Sequence, residues 1–165
     1  MKKVLIALDF DPSAQKVAES GFSIAKAMKA EVILLHIISD PAYYSSAKHI
    51  TIMGFAGNKD ALPLKSDNID ELKKIARKFL DNSKEHLGDK TIKTLLKEGE
   101  FSESILESAQ ELHADLIVMG SHSRKVSSRM VMGSVTRKVL QRSSIPLLII
   151  PTKKATKKGS TRKVR

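Results

Sequence analysis

Gly120, Ser123, Gly133 and Ser134 are spaced so that one anion could be met by several backbone N–H groups. Gly120 closes an apolar run, Leu116-Ile117-Val118-Met119, that reads as a buried strand. Gly133-Ser134 opens a periodic segment, with Val135, Val139 and Leu140, that reads as a helix. A strand that breaks at glycine and a helix that begins at Gly-Ser direct N–H groups to one place, and the helix dipole adds partial positive charge there. Phosphate is the anion such sites most often hold. Between the two glycines lie Arg124, Lys125 and Arg129, which are either solvated loop charges or further phosphate partners.

Other chemistries find little support. The chain has no cysteine, so disulfides and thiolate metal sites are excluded. His36, His49, His86, His113 and His122 show no i,i+4 pairing or acidic pattern of metal ligation, and most read as surface or strand-end histidines. The Gly-x-x-x-x-Gly-Lys-Ser/Thr phosphate loop and the Gly-x-Ser-x-Gly elbow are both missing, which argues against rapid nucleotide hydrolysis and serine hydrolysis. The chain reads as built to bind rather than to turn over. A low-turnover nucleotide hydrolase or transferase is the alternative from the enzyme class.

The positioning elements follow from the apolar pattern. Strands are expected at residues 4–8, 31–38, 91–96, 116–119 and 146–150, mostly as continuous apolar runs of the kind buried on both faces. Helices are expected at about 13–29, with Val17, Gly21, Ile24 and Ala25 inward, then 67–87, 102–112 and 134–141. Gly88 is the stop signal of the second helix, and Gly99 turns the chain into the third. Residues 40–66, with Pro41, Gly54, Gly57 and Pro63, read as a long functional or mobile loop. The alternation predicts a single doubly wound α/β domain of Rossmann-like form, with a five-stranded, mainly parallel sheet and helices on both faces. Ligands of such folds sit at the carboxyl ends of strands where strand order reverses, and Asp9, Ile37 and Gly120 lie at three such ends.

At 165 residues the chain is expected to form one domain over 1–152, followed by a basic tail over 153–165. The net charge is +11, but the last 13 residues hold seven Lys and Arg and no acid, leaving +4 on the rest. The tail's composition predicts disorder, and it reads either as a solubilising tail or as a polyanion-binding arm. Lack of aromatics in it disfavours nucleic acid as the partner. No stretch approaches the roughly 20 apolar residues that span a bilayer, and a cytoplasmic protein is the default expectation.

Taken in order, these segments resemble the universal stress protein family over nearly all of residues 2–151. The pattern of its ATP-binding members is glycine, two residues, glycine, nine residues, glycine, then serine or threonine. Here it reads Gly120, Ser121-His122, Ser123, Arg124 to Met132, Gly133, Ser134. Spacing is intact and serine replaces the second glycine. Val4-Leu5-Ile6-Ala7-Leu8-Asp9, Leu34-Leu35-His36-Ile37 and Pro146-Leu147-Leu148-Ile149-Ile150 add to the likeness. The resemblance implies a stress-response or regulatory protein that binds ATP, with or without magnesium. It puts Asp9 beside ribose and phosphates, Ile37 against adenine through its backbone, and Met119 and Gly120 along the ribose. Ser123, Gly133, Ser134 and Val135 would surround the phosphates. It also implies a homodimer through the last strand, Leu147 to Ile150, an edge that nothing in Pro-Leu-Leu-Ile-Ile guards.

Plainer roles stay open. Asp9 could cap the following helix, Gly120 and Gly133 could be turn glycines, and Ile37 is core on either reading. At a positive φ, Ser123 would cost roughly 1–2 kcal/mol; in the right-handed region it keeps its amide and adds a hydroxyl. A stress protein that binds no nucleotide is the remaining alternative.

Overall fold

A computed structural model describes residues 1–40, 69–121 and 132–152. Five strands alternate with four helices: β1 Lys3–Ala7, α1 Ala14–Ala27, β2 Glu31–Ile38, α2 Ile69–Leu87, β3 Lys93–Glu98, α3 Phe101–Glu111, β4 Leu116–Gly120, α4 Ser134–Arg142 and β5 Leu147–Ile150. All pairings are parallel and the strand order is β3-β2-β1-β4-β5. The expected doubly wound α/β fold is therefore present.

Strand period divides the core in two. Val4, Ile6, Leu8, Val32, Leu34 and Ile38 point to the face covered by α1 and α2, where Val17, Ala18, Leu72, Ala76, Phe79 and Leu80 meet them. Leu5, Ile33, Leu35, Ile37, Ile117 and Met119 point to the other face, against Ile105, Leu106 and Ala109 of α3 and Val139 of α4. Both faces being apolar is why these strands read as unbroken hydrophobic runs.

Several boundaries and facings differ from the sequence expectation. β3 starts at Lys93 rather than residue 91, because Asp89 Oδ1 accepts from the Thr91 N–H at 2.8 Å and the Thr91 hydroxyl at 2.6 Å and holds a turn there. Those two bonds, the hydroxyl's first, also hold the Asp89 carboxyl below its usual range. Ile24 is at the exposed edge of α1 instead of inward, since the buried stripe runs through Ala14, Val17, Ala18, Gly21 and Ala25. Leu140 is 49% exposed, one helical step past the buried Val139. Gly88 and Gly99 do take positive φ, 71° and 142°, as a helix stop and a sharp turn require. The 41–66 stretch, Ser123 with its neighbouring basic residues, and the tail 153–165 fall outside the described residues. No helix among the described residues is long and apolar enough to cross a membrane.

Candidate functional site

Strand order reverses between β1 and β4: from β1 the chain winds outward to β2, and from β4 outward to β5. Helices then depart to opposite faces, and in folds of this kind the carboxyl ends of such a central pair are where ligands bind. The registers Ala7↔Leu35 and Ile6↔Val118, carried forward along the strands, bring Asp9 level with Ile37 on one side and Ser121 on the other.

The turn after β1 is built from carboxylates. Asp9 Oδ1 accepts from the Asp11 N–H at 3.3 Å, and Asp11 Oδ1 accepts from the Ser13 N–H at 2.9 Å. Asp9 therefore does not cap α1, whose first position is flanked by Ser13. It is a partly exposed acid at the end of a buried strand.

On the β4 side, hydroxyls knit the site together. The Gly133 N–H donates to the Ser121 carbonyl at 2.7 Å, and the Thr136 hydroxyl donates to the Gly120 carbonyl at 2.8 Å. These two bonds seat the start of α4 on the end of β4. Gly133 is extended, φ −69° and ψ 161°, and the first backward helical bond is Arg137 N–H to the Gly133 carbonyl at 3.0 Å. The N–H groups of Ser134, Val135 and Thr136 consequently cannot be satisfied by the helix itself. With no acid in the first turn to use the dipole, this end suits an anion from outside.

Ser121 also fixes where the chain leaves the sheet. Its Oγ accepts from the Thr152 N–H at 3.0 Å, the two hydroxyls lie 3.3 Å apart, and its N–H donates to the Ile150 carbonyl at 2.9 Å. Lys16 of α1 donates to the Pro151 carbonyl at 2.6 Å. Ser121 stands at a variable position of the glycine pattern, Thr136 and Thr152 lie outside it, and sequence reasoning gave none of the three a role. Thr136→Val keeps the shape but strands the Gly120 carbonyl, and is expected to cost about 1–3 kcal/mol. A urea titration with an unshifted midpoint would show that α4 is held some other way.

The sequence-predicted residues thus divide by role. Gly120, Gly133, Ser134 and Val135 are brought together, with Asp9 one strand away. The side chains of Ile37 and Met119 are core, 4% and 5% exposed, so only their backbones could meet a ligand. A cleft of about 310 Å³ is lined by Ile38, Ser39, Asp40, Ile69, Glu98 and Gly99. It lies at the ends of β2 and β3 and is offset from the anion-suited end of α4. A nearby carboxylate, Glu100, serves the fold instead. It caps α3 by accepting from the Glu103 N–H at 2.8 Å and the Ser102 hydroxyl at 2.6 Å. Burial raises its carboxyl, but those bonds outweigh burial and leave it below its usual range.

Comparison with known proteins agrees with this architecture. Residues 1–151 match the model of the universal stress protein family. Universal stress protein MJ0577 of Methanocaldococcus jannaschii is 31% identical over 156 residues, covering 92% of this chain and 96% of that one. Universal stress protein YxiE of Bacillus subtilis is 31% identical over 150 residues, covering 90% and 97%. The solved structure of MJ0577 superposes with a TM-score of 0.67 at 27% identity, covering 92% of this chain and 96% of that one. A universal stress protein structure from Archaeoglobus fulgidus gives 0.62 at 20% identity, covering 91% and 98%. Sequence pattern, strand order and these likenesses converge: the chain belongs to the universal stress protein family.

Proposed function

We propose that this protein binds an adenine nucleotide, ATP with its magnesium ion, at the carboxyl ends of β1 and β4, and that it acts as a stress-response or regulatory protein by binding rather than by rapid turnover. The observation that carries the reading is the seating of the α4 N-terminus on Gly120 and Ser121, one strand from Asp9. In this reading Gly133, Ser134 and Val135 hold the phosphates through N–H groups, joined by Ser123. Asp9 faces the ribose and the metal-bearing phosphates, Met119 and Gly120 line the ribose, and the Ile37 backbone meets the base. Asp9 suits a magnesium ion arriving with the phosphates, as a partly exposed hard oxygen donor. Among structural relatives, one universal stress protein was solved in complex with cAMP and another, from Archaeoglobus fulgidus, in complex with dAMP. Both support an adenine nucleotide as the ligand class.

A ligand that binds only the native state at a hundredfold excess over Kd adds about 2.7 kcal/mol. For a domain of this size that corresponds to an upward Tm shift of roughly 5–10 °C. A thermal melt across ATP, ADP and AMP with magnesium is the test. An unmoved midpoint at millimolar nucleotide sinks the proposal.

The same reading includes a homodimer through β5. This strand is at the sheet edge, and Leu147, Leu148 and Ile149 are only partly buried there. A second β5 laid antiparallel around a two-fold axis would pair the edge and cover those side chains. Sedimentation at micromolar concentration is expected to return twice the chain mass, with or without nucleotide. A monomer mass would rule this assembly out.

A further inference from the structure

His36, two residues before the end of β2, is 2% exposed. Its Nδ1 lies 2.7 Å from the Leu8 carbonyl oxygen. A carbonyl can only accept, so Nδ1 carries the proton and Nε2 is left as a lone-pair acceptor. That Nε2 is buried and has no hydrogen-bond partner among the described residues. The ring lies 4.0 Å from the Phe10 ring, centroid to centroid, and 5.6 Å from that of Phe79.

For packing alone this is a poor choice of residue. A leucine would fill much of the same space without burying an acceptor that no described residue satisfies. What a leucine could not do is hold the Leu8 carbonyl. β1 ends at Ala7, and Leu8 is the first residue beyond it. The Leu8 N–H still reaches the Leu35 carbonyl at 2.8 Å, while its carbonyl is taken by the side chain of the next residue along β2. The imidazole therefore touches both neighbours of Asp9: the carbonyl before it and the ring of Phe10 after it.

We propose that His36 is a positioning residue for the nucleotide site, fixing the Leu8–Asp9 peptide and packing on Phe10 so that Asp9 is held in place there. The inference rests on the reading of Asp9 as a nucleotide contact. His36 itself touches no ligand; it acts through the backbone on either side of the residue that does.

Asparagine and glutamine separate the hydrogen bond from mere polarity. The Asn amide nitrogen falls close to the place of Nδ1, whereas that of Gln falls one bond farther out, closer to Nε2. Calorimetric titration of Mg-ATP into the full-length wild-type, His36→Asn, His36→Gln and His36→Leu proteins reads the effect, with ligand-free melts confirming that each is folded. His36→Leu and His36→Gln are expected to weaken ATP binding about tenfold, the equilibrium equivalent of one hydrogen bond, and His36→Asn by no more than about twofold. If His36→Leu and His36→Gln bind like wild type, or if His36→Asn loses as much as His36→Leu, the positioning role is overturned. A wild-type protein that binds no ATP overturns the nucleotide reading and this inference with it; a wild-type protein that binds, matched by all three variants, overturns this inference alone.

Discussion

Gly21→Leu is expected to lower the stability of the protein by about 3 kcal/mol or more, which for a chain of this length moves Tm down by roughly 6–12 °C. Gly21 faces inward from α1, and a Cβ built on it would sit 2.9 Å from Ile6 Cδ1 and 3.0 Å from Val118 Cγ1. Those two residues belong to β1 and β4, the pair between which strand order reverses. A leucine there must push the helix off the sheet, because the interior is too densely packed to absorb three further carbons. Gly21→Ala is the control. Alanine gains up to about 1 kcal/mol of helix propensity over glycine, and the atom it meets first is the flexible end of an isoleucine. The two effects nearly cancel, and chemical denaturation should show alanine within about 1 kcal/mol of wild type. Equal losses for the two variants would mean that backbone freedom, and not space, is what Gly21 supplies.

Acid is expected to destabilise the protein well above the carboxylate range, and the cause is again His36. Burial lowers its pKa from 6.5 to about 4, against a smaller opposing effect of its bond to the Leu8 carbonyl. The unfolded chain takes up this proton as pH falls through 6.5, while the folded state refuses it until about pH 4. Stability from a neutral His36 is thus complete above pH 6.5 and is lost progressively down to about pH 4, by about 3 kcal/mol in all. Glu19, held below its usual range chiefly by a hydrogen bond with His86, and Glu100 add losses only further down, as pH falls through their depressed values. Urea unfolding of wild type and His36→Asn at intervals between pH 7 and 4 isolates the histidine. The difference in their stabilities should shrink or reverse as pH falls, and parallel curves would refute the assignment.

Most of the fold was legible because its strands are buried on both sides. Runs such as Val32 to Ile38 leave little but a core strand to be, and Gly88 and Gly99 mark their turns by conformations that side chains resist. Misplacements came where local polar chemistry overrode the pattern, as when the Asp89–Thr91 turn delayed β3. Asp9, Gly120 and Gly133 were legible as an acid and two glycines at strand and helix ends. Ser121, Thr136 and Thr152 were not, because they act through bonds across 16 and 31 residues, to which no local pattern points. His36 was hidden differently: inside an apolar run, a histidine at the end of a strand reads as exposed, and only the fold shows it buried against Leu8.

Amide hydrogen exchange with and without saturating Mg-ATP tests the central claim most directly, since it reports where a ligand settles. With nucleotide bound at the carboxyl ends of β1 and β4, amides of residues 9–13, 120–121 and 133–137 should exchange at least about tenfold more slowly, while the far face of α2 and the β3 edge stay unchanged. Protection confined to other segments, or none at all at saturating nucleotide, would contradict the account.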